Sequence, residues 1–184
     1  VIKGIAVAVS LWAIAAVAHA ETAVETFSAA CLPGLGSFEA SEAAIISAGW
    51  SAVVPEADPR LASIIRQSQP PANVTVHSTL TFLRERDPGS FVILTNATVS
   101  DMRLITCHLY AMDAPSATPR SQLDAWVGAP PTRQEFDRVL YFWMDAPNMP
   151  NALGVQYSFS AQDTGWLVTG EHLRVSSVIQ GDAE

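Results

Sequence analysis

The spacing of apolar residues changes once along this chain, and that change fixes the class of fold. Up to about Gln67 apolar positions recur at helical intervals; from Asn73 they alternate. In VTVHSTLTFL, Val74, Val76, Leu80 and Phe82 fall on one face of an extended segment, and Thr75, His77, Thr79 and Thr81 on the other. That is the pattern of a half-buried strand. Asp87-Pro88-Gly89 supplies turn chemistry next. SFVILTNATV and MRLITCHLYAM then read as two more strands, joined near Ser100-Asp101. After the loop DAPSATP, Thr118 is placed to cap a short helix, PRSQLDAWVG, stopped by Gly128 and two prolines. Three further strands are expected over RVLYFWM, ALGVQYSFS and GWLVTGEHLRVSSVI, the last two joined by a hairpin turn over Gln162-Asp163-Thr164-Gly165.

Ahead of the strands, the region Glu21 to Gln67 reads as helical. Thr22 to Ala30 form a short first helix. Ser37 caps a second, FEASEAAIISA, which Gly49 stops; Phe38, Ala44, Ile45 and Ala48 share its apolar stripe. Pro59 suits the first turn of a third, RLASIIRQ, ended by Pro70-Pro71. The expected order is therefore ααα-βββ-α-βββ. Runs of strands with short turns cannot make parallel crossovers, so the sheet should be mainly antiparallel, with helices packed on one face: an α+β domain with one disulfide. The two three-strand blocks are alike in layout, as a decayed duplication would leave them, but share little residue identity.

The first segment has the grammar of a secretory signal. Lys3 supplies a basic start, Ile5 to Ala18 form an apolar run of 14 residues, and Ala18-His19-Ala20 is a small-x-small cleavage signature. That run is shorter than the roughly 20 residues a membrane span takes. Residues 1–20 are thus expected to be a signal peptide and 21–184 a single domain, periplasmic or secreted, with no membrane insertion after cleavage. Lys3 is the only lysine; without it nine arginines face 18 acids. Such acidity argues against nucleic acid as a partner and against an anionic membrane surface.

Two cysteines remain to be explained, Cys31 and Cys107. A lipid anchor would need Cys31 directly after the apolar run, yet ETAVETF separates them. A reactive thiol wants electropositive neighbours, whereas Cys31 sits among Ala, Leu and Pro with two glutamates upstream. Cys107 precedes His108, but strand neighbours point to opposite faces. A metal site would need about four ligands at a known spacing, and no such pattern occurs. An even, minimal cysteine count in an exported chain favours pairing. Cys107 also shares a strand face with Ile105, Leu109 and Ala111, the side expected to meet the helices. A Cys31–Cys107 bridge would staple the first helix to the sheet.

No motif for a nucleophile elbow, a phosphate loop, a dinucleotide or a metal appears, so no cofactor and no metal are expected. The polar residues that could gather into an acid–base site are His77, His108, His172, Asp101 and Glu171, with Arg103 near them. His108 shares its face with Thr106 and Tyr110, and His172 with Arg174; the simplest reading is histidines on the wet face of a sheet. Asn73 and Asn96 begin glycosylation sequons, and Glu135, Asp137 and Asp145 read as a solvated rim. Trp50, Trp126, Trp143 and Trp166 sit among apolar residues, as core tryptophans do; Trp126, ahead of Gly-Ala-Pro-Pro, could also line a groove.

Phe27-x-x-x-Cys31, Ala48-Gly49-Trp50, Phe82-Leu83-Arg84 and the lone strand cysteine Cys107 resemble a group of exported bacterial proteins with no assigned activity. The resemblance implies a bacterial envelope location, with periplasm foremost, and a paired role for the cysteines. The expectation is a non-catalytic exported domain that binds a protein, peptide or small ligand in the cell envelope. The alternative is a periplasmic hydrolase using a histidine and a carboxylate on the polar face of the sheet. A third is a secreted factor that acts by surface docking.

Overall fold

A computed structural model describes residues 21–135, 139–162 and 168–179. The expected signal segment, Asp137, Trp166, most of the expected hairpin turn at 162–165 and the last five residues fall outside them. Four helices and eight strands follow in the order α1 (Ala23–Cys31), α2 (Phe38–Ser47), β1 (Ser51–Val53), α3 (Pro59–Gln67), β2 (Val74–Arg84), β3 (Asp87–Val99), β4 (Met102–Ala111), α4 (Arg120–Val127), β5 (Arg133–Glu135), β6 (Val139–Trp143), β7 (Gly154–Ser160) and β8 (Gly170–Val178). A single 3-10 turn, Pro55–Ala57, precedes α3.

The strands form one antiparallel sheet in the order β1-β2-β3-β4-β8-β7-β6-β5. Two four-stranded meanders thus join through their last strands, β4 and β8. The mixed helix and sheet class and the antiparallel sheet agree with the sequence pattern, but the expected element order does not. Ser51–Val53, expected within the helical region, pairs with Thr81–Leu83 as an edge strand, and Arg133–Glu135 forms the opposite edge.

The expectation that all helices cover one face is also corrected. Leu80, Phe82, Val92, Leu94, Ile105, Cys107, Leu109, Leu173, Val175, Val155, Tyr157 and Trp143 share one face by register. They pack with Val24, Phe27, Ala30 and Cys31 of α1, Ile45 of α2, and Leu123 and Val127 of α4. Helix α3 lies on the other face, where Leu61 and Ile64 meet Phe91, Ile93 and Tyr110. A strand apolar on both sides needs cover on both sides, and Phe91, Val92, Ile93 and Leu94 are all buried.

Three local expectations give way to better-satisfied alternatives. The turn between β2 and β3 is Glu85-Arg86, with Arg84 opposite Asp87, so Asp87-Pro88-Gly89 lies within β3. A bulge leaves His77 unpaired between Val76, opposite Ala97, and Ser78, opposite Asn96. Val74 and Val76 therefore leave the face of Leu80 and Phe82, and Val76 is exposed. Thr118 does not cap α4; its hydroxyl and its N–H both donate to Glu171.

Caps that the sequence does announce are present. Thr22 and Glu25 form a capping box on α1. Ser37 caps α2, and Asp58 precedes Pro59 at the start of α3. Cys31 and Cys107 are disulfide-bonded, with Cα atoms 5.6 Å apart, fastening the end of α1 to β4. Asn96 is buried in β3, which excludes a glycan there.

Candidate functional site

On the α3 face, β4 and β8 pair so that Tyr110 stands opposite His172 and His108 opposite Arg174. Alternate residues of a strand project to one side, which brings these four side chains together. The rings of Tyr110, His172 and His108 are parallel within 5°. Tyr110 and His172 have centroids 4.3 Å apart, and His172 and His108 5.2 Å. His108 Nδ1 and His172 Nε2 form a hydrogen bond of 2.9 Å. That bond needs one ring nitrogen protonated and the other bare. Burial, and then the charges of the partner imidazole and of Arg174, holds His108 well below the ordinary histidine range. Burial and Arg174 hold His172 down likewise. Both rings are therefore neutral at pH 7. Burial raises the Tyr110 phenol, partly offset by a hydrogen bond with Ser68 beyond the end of α3.

The opposite face carries a second polar centre. Glu171 is buried at the start of β8. Its Oε1 accepts from Tyr157 Oη at 2.6 Å and from the Thr118 N–H at 2.7 Å. The Thr118 N–H also lies 2.7 Å from Tyr157 Oη. Burial, and after it the Glu171 carboxylate, pushes the Tyr157 phenol far above its ordinary value. Gly170 is required just before Glu171: its φ is +88°, and a Cβ there would run into Ala111 O.

Glu171 borders a cleft of about 450 Å³ between the start of α1 and the loop leading to α4. Glu21, Asp87, Asp113 and Glu171 bring four carboxylates to it, and no histidine lines it. Glu21 is held by Arg84 at 3.0 Å and Arg86 at 3.3 Å. Arg84 is itself buried, with its guanidinium 4.8 Å above the Trp50 ring. A smaller cavity, about 240 Å³, lies beside α3 between Arg60, Ile64, Met112 and Val168.

Of the five residues expected to form a polar site, the fold unites only two. His108 and His172 meet, but as a hydrogen-bonded pair and not as separate histidines on a wet face. Glu171 points the other way from His172, its neighbour in β8. Asp101 is exposed in the β3–β4 turn, where Ser100 takes a φ of 55°. His77 is exposed at the bulge, its Nε2 2.8 Å from Thr98 Oγ1. Arg103 is exposed as well. Among the described residues no group of three metal-ligating side chains converges.

Sequence reasoning missed Tyr157 and Thr118 as partners of Glu171, since 53 residues separate Thr118 from it. Tyr110 and Arg174 were recognisable on the faces of His108 and His172, though not their contacts. Trp126 is a packing residue: its Nε1 donates to Ser28 Oγ at 2.9 Å, and its ring meets Phe27 edge to face.

No family model, no curated protein and no solved structure matches the chain. No helix among the described residues is long and apolar enough to cross a membrane. The disulfide fits an exported location.

Proposed function

We propose that this chain is an exported, non-catalytic domain of the bacterial cell envelope that binds a protein, peptide or small ligand through its sheet or loops. One observation supports the reading above others. The imidazole pair and the buried carboxylate stand on opposite faces of the sheet, so histidine and carboxylate do not share a cleft. A hydrolase of the kind considered above needs acid and base within hydrogen-bond reach of one substrate. Glu171 is instead held by Tyr157 and Thr118, as structural carboxylates are. A periplasmic site of action agrees with the signal grammar of residues 1–20 and with the disulfide.

The test is a pull-down from a periplasmic extract with the tagged protein, run beside a panel of hydrolytic assays. Retention of a defined partner or ligand, with no turnover, is expected. Turnover that disappears in His108→Ala or Glu171→Gln, with nothing retained, would overturn the reading.

A further inference from the structure

Eight of the nine arginines are described, and most are accounted for. Arg60, Arg84, Arg86, Arg120 and Arg133 each hold a carboxylate. Arg66 and Arg103 do not, but both are exposed, where water solvates the charge. Arg174 differs from all of these. It is partly buried in β8, and among the described residues no carboxylate reaches it. A guanidinium withdrawn from water without a counter-ion is costly, and an always-charged side chain cannot escape by losing its proton.

What surrounds Arg174 is a set of neutral hydrogen-bonding groups. His108 stands opposite it on β4 and Gln156 opposite it on β7. His172 and Ser176 flank it on β8, and Ser158 stands opposite His172. The hydrogen bond between the imidazoles uses His108 Nδ1 and His172 Nε2. His108 Nε2 and His172 Nδ1 are left over, one on each ring.

We propose that Arg174 and the His108–His172 pair form a binding site for the oxyanion group, carboxylate or phosphate, of a small ligand. Arginine presents parallel N–H donors that match either group. The neutral pair adds one free N–H donor beside it, and Gln156 adds an amide. In a chain of net charge −8, a partly buried cation that no carboxylate reaches among the described residues is a favourable place for an anion. The site rests on the reading of this domain as a ligand binder and names the chemistry that one of its faces takes. The charged and titratable groups beside the pair are the two imidazoles themselves, Arg174 and the Tyr110 phenol. A bound anion would offset that guanidinium and let one imidazole accept a proton.

The experiment is a titration of the purified protein with inorganic phosphate and, separately, with acetate at pH 6, read by NMR of the histidine ring carbons. Saturable shifts of the His108 and His172 signals are expected with at least one of the two, and that one identifies the anionic group. Arg174→Gln should weaken binding about ten-fold or more, since a charge-assisted bidentate pair is lost. Arg103→Gln, an exposed arginine near the far end of β4, should leave it unchanged. Gln156→Ala keeps the guanidinium and should weaken binding a few-fold, which keeps the test open if Arg174→Gln does not fold. No shift of either imidazole up to tens of millimolar anion would overturn the site, as would equal shifts in Arg174→Gln. Retention of a periplasmic partner without any anion response would leave the binding function standing and remove this site alone.

Discussion

His108 Nδ1 and His172 Nε2 lie 2.9 Å apart, in rings parallel within 1°. The contact exists only while at least one of the two rings is neutral, because two imidazolium cations have no bare nitrogen to accept. Folding lowers both pKa values, by burial first and by neighbouring positive charge second. The unfolded chain therefore takes up protons on these rings as pH falls through about 6.5, while the folded chain does not. Stability is complete above that pH and declines below it, by at most about 1.4 kcal/mol per pH unit for each ring. The melting temperature should fall between pH 7 and 5, a window above the titration of ordinary carboxylates. The double variant His108→Phe with His172→Phe removes both titrating rings, so its melting temperature should be flatter over that range. Equal slopes for the two proteins would contradict the assignment.

Tyr157 gives the opposite sign. Its phenol is raised above the unfolded value of about 10, so its folded-state contribution is present below that pH and is lost as pH rises through it. Tyr110 acts in the same direction. Absorbance near the phenolate band should show Tyr157 ionising only together with unfolding. Tyr157→Phe removes a donor to Glu171 and should cost about 1 kcal/mol at neutral pH, while making the protein less sensitive to alkali. A Tyr157 that ionises freely in the folded protein would be the contrary result.

How much of this was legible in the sequence depends on the range of the contact. The Cys31–Cys107 pairing followed from the even, minimal cysteine count of an exported chain, and strand parity supported it by setting which way Cys107 points. The caps at Thr22, Ser37 and the first turn at Pro59 were local and readable. The bulge at His77 was not, since the even-numbered apolar pattern runs through it unbroken and only the partner strand shows the slip. The placement of α3 had a signal in the sequence that was not used. Phe91-Val92-Ile93-Leu94 is a continuous apolar run, the mark of a strand covered on both faces. The polar sites were least legible. Glu171 with Tyr157 and Thr118, and Arg174 with His108, are contacts between elements distant in sequence, and only the register of the sheet brings them together.

The disulfide closes a loop across 76 residues of sequence. The chain-entropy account puts its contribution at about 4.5 kcal/mol, an upper value. Cys31→Ala with Cys107→Ala should lose about 2–4 kcal/mol in urea unfolding, because both positions are buried and leave only small voids. Intact-mass measurement should find no thiol to alkylate before reduction and two afterwards. Two reactive thiols in the unreduced protein would mean that the bridge does not form.

Arg84 concentrates the remaining electrostatic strain near the start of the described chain. It is 5 % exposed and depends on Glu21 at 3.0 Å and Asp87 at 3.6 Å. Its Nε finds no partner among the described residues. Removing one acid from a buried pair leaves a charge poorly compensated, which costs up to about 3–5 kcal/mol when no second acid remains. Asp87 remains here, so Glu21→Gln should cost about 1–3 kcal/mol, read as a lowered urea midpoint. Asp87→Asn should cost less, because its contact is longer. Arg86→Gln, at an exposed end of the same cluster, should change stability by less than about 0.5 kcal/mol. Glu21 is also the first residue after the expected cleavage at Ala20. Its grip on Arg84 therefore requires that processing stop there, and the intact mass of the exported protein should begin at Glu21. A mature chain that starts at Thr22 or later, with an unchanged urea midpoint, would show that the Glu21–Arg84 pair is dispensable.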